Sequence, residues 1–454
     1  MKLLKSSFWL HSIFYTLLQR FSIFFFGAVS YMVLVRGLSK ENFAVWALYL
    51  MIMTLFEMIK QGLLRNPTIK FLGLSEYADK KKEVQSAALV MNITFSILAM
   101  LIFTFAGGLI AHLLKSEELT PLLLWSLLFV ALLIPYNHYE VLLQAHYMFN
   151  RIFWAYFVRQ GIFFTGTLVM FFFFPAWFTL LNLVLLQIVA LLAGVIILYK
   201  ATSAYRLRGF HNDGAIIRRM FHFGKYIFGT NLFSSVARSF DHFITASVLG
   251  PIQGKEFVSN YNTVARINNM IDVPSLAAAD VLFPKNVQTL ETDGLGKVKY
   301  YFERMMGTIL ALVVPLSLFI FIFPKFIIYV LAGPKYYDAV PILQLTILFS
   351  LVRPLSYQFG STLDAIGKPQ ANFYVNLCLM IFNLGATYLG LRYFDGMGAA
   401  YATVAFCIVS YIVMVAMLKK HIHLEVKNMF HYMIQFYKDM FGLARKKLAK
   451  TSGS

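Results

Sequence analysis

The sequence predicts an all-α polytopic membrane protein, with twelve transmembrane helices in two six-helix lobes around a central cationic cavity. Three observations carry that prediction. Of the 454 residues, 59% are hydrophobic and 13% charged, where a soluble domain carries roughly 25% charge. Windows of about 20 apolar residues, the length that crosses a bilayer, recur at 8–35, 42–62, 86–112, 119–146, 152–174, 177–199, 223–249, 256–283, 301–323, 338–362, 371–391 and 396–418. Basic residues concentrate in every second connection, twenty against seven in the others, which places both termini in the cytoplasm by the positive-inside rule.

At the N-terminus, the apolar run from Phe8 to Val35 is too long for a cleaved signal peptide. The net charge of +19 lies mainly in the inner connections. It therefore reads as membrane orientation and not as a nucleic-acid surface. Cys378 and Cys407 sit in apolar runs and read as small interior residues. The outer connections are too short to fold as domains. No Ser/His/Asp grouping, Cys/His metal spacing or phosphate-cradling glycine loop occurs. The expectation is a non-enzyme with no metal and no cofactor.

The longest inner connection, about 200–222, divides the chain into an N-terminal lobe, 1–205, and a C-terminal lobe, 206–418. The halves look related. Lys40-Glu41 recurs as Lys255-Glu256, and Glu57 recurs as Asp272 at the same offset. Pro67, Pro121 and Pro135 are matched by Pro284, Pro341 and Pro354 at slowly drifting offsets. Six spans per half give repeats of parallel topology. The remainder, 419–454, reads as a basic amphipathic cytoplasmic tail. Phe430, Met433, Ile434, Tyr437, Met440 and Phe441 share one helix side, and Lys427, Lys438, Arg445, Lys446, Lys447 and Lys450 supply the charge, the pattern of a helix lying on anionic lipid.

Function is expected along the hairpin from Tyr226 to Pro284. Asn231, Ser234, Arg238, Asp241 and Thr245 fall three or four residues apart, as do Asn262, Arg266, Asn269 and Asp272, so each set shares a helix face. Ionisable groups inside a span face a bundle interior or a watery cavity. Arg20 and Arg353 extend the set of interior cations, and Glu57 that of interior acids. Arg159, near the inner surface, is expected to snorkel. Arg238 and Asp241 are close enough to form a local pair. Pro274 removes a helical hydrogen bond beside Asp272, so a hinge is expected there. Arginine forks suit phosphate oxygens, while Asn231, Asn262, Asn269 and Tyr261 suit sugar hydroxyls. Asp241, Asp272 and Glu57 are the candidates for ion coupling, because there is no ATPase motif.

Several stretches resemble one family. Leu331-Ala-Gly-Pro-Lys-Tyr-Tyr-Asp-Ala-Val-Pro-Ile-Leu-Gln344 is similar to the outer turn after the ninth helix of polysaccharide flippases. Asp364-Ala-Ile-Gly-Lys-Pro-Gln370, followed by Asn376 and Asn383, resembles their loop after the tenth. Leu249-Gly250 through Tyr261-Asn262-Thr263-Val264-Ala265-Arg266-Ile267 resembles their seventh-to-eighth hairpin, and Phe283-Pro284-Lys285 the end of the eighth helix. These flippases belong to the multidrug/oligosaccharidyl-lipid/polysaccharide exporter superfamily. The resemblance implies two lobes forming a V, and twelve spans favour its O-antigen, capsule or exopolysaccharide branch. It implies an undecaprenyl-diphosphate-linked oligosaccharide as substrate, a bacterial inner membrane as location, H+ or Na+ as candidate coupling ions, and polysaccharide polymerase and assembly proteins as candidate partners. Three rivals remain open: a drug or cation exporter of the same superfamily, a glycan polymerase or ligase, and a lipid-scaffold or assembly protein.

Overall fold

The computed structural model describes residues 7–114, 116–206, 209–211, 213–249, 260, 263–265, 267–349, 352–394 and 397–451, excepting the side chains of 7–10, 40, 59, 61, 235–249, 335, 348–349 and 443–451. Helices joined by short turns make up the described chain, with no strand among the described residues. Two compact units emerge, one through Phe228 and one from Gly229 onward.

The N-terminal unit contains α1 (Ser7–Gly37), α2 (Lys40–Lys60), α3 (Asn66–Gly73), α4 (Lys81–Phe105), α5 (Gly107–Leu113), α6 (Leu119–Ala145), α7 (Phe149–Phe173) and α8 (Leu180–Ala201). It also holds the first part of α9 (Gly214–Leu249). Helix α1 packs along α7, which packs on α8, and α8 packs in turn on α6. The α1–α7 seam is aromatic: Phe26 meets Phe157 and Phe164 at 5.4 Å each, and Tyr15 meets Phe153 at 5.7 Å. Rings at these separations add attraction beyond their buried area. Phe14, Phe21, Phe24 and Phe25 of α1 face outward, an apolar surface that lipid solvates and water would not.

The second predicted span, 42–62, stops too early. The helix of α2 continues through a π-turn, Gln61–Arg65, into α3, giving one span from Glu41 to Gly73. Pro67 has no N–H for the carbonyl four residues back, and the π-turn precedes it directly. At this turn α9 approaches so closely that only glycine fits. A Cβ on Gly62 would lie 2.7 Å from the Phe228 Cα, and one on Gly224 would lie 2.9 Å from the Leu63 carbonyl oxygen. Around this contact Leu63, Phe71, Met91, Leu142, Met220 and Phe223 form the unit's buried core.

The C-terminal unit continues with α10 (Val273–Asp293), α11 (Leu295–Ile322), α12 (Pro324–Ala332), α13 (Val340–Phe349), α14 (Arg353–Ala365), α15 (Pro369–Phe394), α16 (Met397–Ile422) and α17 (Val426–Thr451). Its core joins Phe302, Met306, Leu355, Phe359, Met414 and Leu418. Helix α10 runs ten residues past the predicted end at 283 and carries Pro284 inside it. One lost hydrogen bond is tolerated because the surrounding face, Val281 to Pro284, is buried. The predicted tail is a helix docked on α11. Glu303 accepts from the Glu425 backbone N–H at 2.8 Å and the Asn428 amide at 2.9 Å, and the Tyr437 hydroxyl donates to the Ala311 carbonyl at 2.6 Å. Phe430, Ile434 and Phe441 remain exposed on its other flank.

Among the described residues, nine helices are long and apolar enough to cross a membrane. Windows 223–249 and 256–283 fall partly outside what is described. Window 338–362 is divided between α13 and α14.

Candidate functional site

Two of the predicted residues meet at the starts of two helices. Asp272 holds the N-cap position of α10 with Pro274 in the first turn, and Arg353 opens α14 with Pro354 beside it. The Asp272 N–H bonds the Asn269 carbonyl at 3.3 Å, three residues back, so the α-helical ladder breaks there. This is the interruption that Pro274 predicts. An N-cap aspartate ordinarily accepts from its own helix. Asp272 makes no such cap bond. Its Oδ2 is instead ion-paired with Arg353 Nη2 at 2.9 Å and accepts from the Tyr357 hydroxyl at 3.1 Å. Arg353 Nη2 also reaches Asn269 Oδ1 at 3.4 Å. The Asp272 side chain is 3% exposed, the Arg353 side chain 32%. A carboxylate so buried needs a paired charge. The arginine satisfies it through one nitrogen, and toward the described residues its Nη1 and Nε make no hydrogen bond.

A polar seam between α10 and α14 extends from this pair. The Gln358 amide donates to the Ser275 carbonyl at 2.8 Å, and the Asn286 amide to Thr362 Oγ1 at 3.3 Å. On α15, the Asn372 amide donates to Asp364 at 3.0 Å. These bonds fix the register of the helices that carry Asp272 and Arg353.

The N-terminal unit has its own interior charges. Glu57 on α2 lies 3.8 Å from Arg159 on α7, with side chains 37% and 17% exposed. Arg159 does not snorkel as expected. Ten residues into its helix, it is about 15 Å along the axis, half the thickness of a hydrocarbon core. Its guanidinium lies over Tyr136 at 5.1 Å and Phe129 at 5.7 Å, so a carboxylate and two ring faces replace the water it gives up. Sequence reasoning also missed Lys60, counted with the inner connection. It is 1% exposed and donates to Ser96 Oγ at 3.0 Å. The signal available was its spacing of three from Glu57. Glu140 accepts from the Tyr156 hydroxyl at 3.1 Å nearby.

Arg20 is half-buried on α1 and takes part in an interaction of its own. Asn231 is half-buried on α9. Tyr261, Asn262 and Arg266, and the side chains of Arg238 and Asp241, lie outside the described residues.

Broken helices carrying ion-paired arginine and carboxylate inside a helical membrane bundle are the architecture of a transporter. The fold is similar to an outward-facing multidrug resistance MATE family transporter of the MOP superfamily, at TM-score 0.80 and 14% identity, covering 90% of this chain and 94% of that one. It is also similar to a MOP superfamily transporter from Pyrococcus furiosus whose binding pocket is described as having reverse polarity, at TM-score 0.76, 14% identity and the same coverage. Such transporters have twelve helices in two lobes, the fold class predicted.

The sequence profile of polysaccharide biosynthesis proteins matches residues 33–341, and the chain belongs to that family. The lipopolysaccharide biosynthesis protein WzxC of Escherichia coli is 24% identical over 372 residues, 80% of this chain and 71% of that protein. An uncharacterized membrane protein of Methanocaldococcus jannaschii is 25% identical over 190 residues, 42% of this chain. That match spans only 37% of the Methanocaldococcus protein's length.

Proposed function

We propose that the protein flips an undecaprenyl-diphosphate-linked oligosaccharide, for O-antigen, capsule or exopolysaccharide synthesis, from the cytoplasmic to the outer leaflet of a bacterial inner membrane. Both termini lie in the cytoplasm, and lobes 1–205 and 206–418 alternate in access. The observation that carries the reading is Arg353. Its fork is anchored at one nitrogen by Asp272, and a fork with two further nitrogens fits a phosphate oxygen pair. The N-terminal end of α14 adds the positive end of a helix dipole, favourable to an anion. Asp272 then acts as the resting counter-ion: it keeps the guanidinium oriented without substrate, and the diphosphate takes its place on loading. Arg20, Arg238 and Arg266 are the further cations of this proposal, and Asn231, Asn262, Asn269 and Tyr261 the groups for sugar hydroxyls. Coupling to H+ or Na+ falls to Asp241, Asp272 or Glu57, with polysaccharide polymerase and assembly proteins as downstream partners.

The test is translocation in proteoliposomes, with a short-chain prenyl-diphosphate disaccharide and a cationic dye as competing cargoes. Protein-dependent movement of the diphosphate, lost in Arg353→Ala, supports the reading. Movement of the dye alone supports the cation-exporter reading.

A further inference from the structure

A cavity of about 450 Å³ lies within the N-terminal unit, bounded by α1, α2, α7 and α8 and by Phe129 of α6. That size takes one or two sugar rings, at the lower end of ordinary small-ligand sites. Its walls are aromatic. Tyr31 packs edge-on to Phe43 at 5.5 Å, and Trp46 stacks on Phe163 at an interplanar angle of 6°. The polar groups among the lining residues are predominantly donors. Arg159 supplies a fixed positive charge, and Gln160 and Gln187 supply amides. Gln187 Oε1 is already occupied by the Tyr49 hydroxyl at 3.3 Å, which leaves its nitrogen to donate. Ser30 Oγ and Trp46 Nε1 are buried without a hydrogen-bond partner. Both atoms are closed off from the open space of the cavity, so its accessible polar groups are those of Arg159, Gln160 and Gln187. No acidic side chain lines the cavity.

We propose that this cavity is a binding site for a pyranose bearing a carboxylate. The inference rests on the glycan-carrier reading and adds to it the charge of one sugar. Apolar ring faces match the aromatic walls, the carboxylate accepts from the Arg159 guanidinium, and the ring hydroxyls accept from the Gln160 and Gln187 amides. Glu57 is 3.8 Å from Arg159, beyond hydrogen-bond distance, so the ligand need not break a short bond to reach the guanidinium.

The experiment compares methyl β-D-glucuronide with its neutral isostere methyl β-D-glucoside, using the full chain in lipid nanodiscs and saturation-transfer NMR. The glucuronide should bind at least tenfold more tightly. Arg159→Gln should remove that preference. Gly27→Leu should abolish binding of both sugars, because a Cβ at Gly27 meets nothing within 4 Å and the longer side chain enters the cavity without displacing backbone. Inorganic phosphate should not compete. Equal affinity for the two sugars, unchanged preference in a folded Arg159→Gln, or unchanged binding in Gly27→Leu overturns the site. Glycan export, measured in parallel in a strain lacking its own flippase, separates the two claims. Failed export by the wild-type chain with sugar preference intact overturns the carrier reading alone.

Discussion

Arg353 Nη2 lies 2.9 Å from Asp272 Oδ2, and each residue stands at the first turn of a helix that begins inside the membrane bundle. The two sit on separate helices, each with a proline in the first turn. Breaking such a pair from one side strands a charge, whereas neutralising both does not. Arg353→Ala alone should cost about 3–5 kcal/mol of stability, and Arg353→Ala with Asp272→Asn should recover most of it. Thermal unfolding of the purified variants measures both. Equal melting temperatures for the single and double variants would mean the pair carries no such energy.

Asp272→Asn alone should act in the opposite direction on ligand affinity. It removes the competitor for the guanidinium, so binding of a prenyl diphosphate should tighten by roughly tenfold or more, the worth of one charge-assisted hydrogen bond. Weaker binding in a folded Asp272→Asn would show that the carboxylate assists the anion and does not compete with it.

Lys60 is buried with Ser96 as its hydrogen-bond partner. Replacing a buried ion by an apolar side chain of similar volume is often neutral or stabilising. Lys60→Met should therefore unfold at or above the wild-type temperature, and Lys60→Glu, which sets a second acid three residues from Glu57, should express poorly. Marked loss of folded Lys60→Met would show that the ammonium has a stabilising role in the N-terminal unit.

The docking of α17 should depend on pH. The Lys299 ammonium donates to Glu425 at 2.5 Å, and that hydrogen bond holds the Glu425 carboxyl below its ordinary value. A depressed carboxyl contributes stability above the unfolded value, about 4.3, and loses it as pH falls through the folded one. Protection of α17 in hydrogen exchange should stay constant down to about pH 4.3 and decline below. Lys299→Met should remove the dependence. Loss of protection at higher pH would exclude this contact as the cause.

Much of the fold is legible in the sequence because lipid imposes it: the length and apolar character of the spans follow from the bilayer. The helix break at Asp272 is legible because Pro274 cannot donate. The pairing of Asp272 with Arg353, and of Glu57 with Arg159, is not, because periodicity within one helix says nothing about which helix faces it. The burial of Lys60 is not legible either, for a related reason. A lysine at the edge of an apolar window looks like a loop residue, and only tertiary packing shows the helix continuing through the π-turn to Gly73. Gln358 and Tyr357, which fasten α14 to α10, carry no motif that marks them in advance.

The role proposed for Arg353, a cation inside the C-terminal unit, is to hold the diphosphate of a lipid-linked glycan. Its most direct measurement is surface glycan in a strain lacking its own flippase, with membrane protein quantified alongside. The variants are Arg353→Lys and the charge-neutral double variant Arg353→Ala, Asp272→Asn, which avoids a stranded buried charge. Arg353→Lys, which keeps charge but loses the fork, should export partially, and the double variant should fall roughly 10- to 150-fold, the loss of one charge-assisted hydrogen bond. Wild-type glycan from a well-expressed double variant would contradict it.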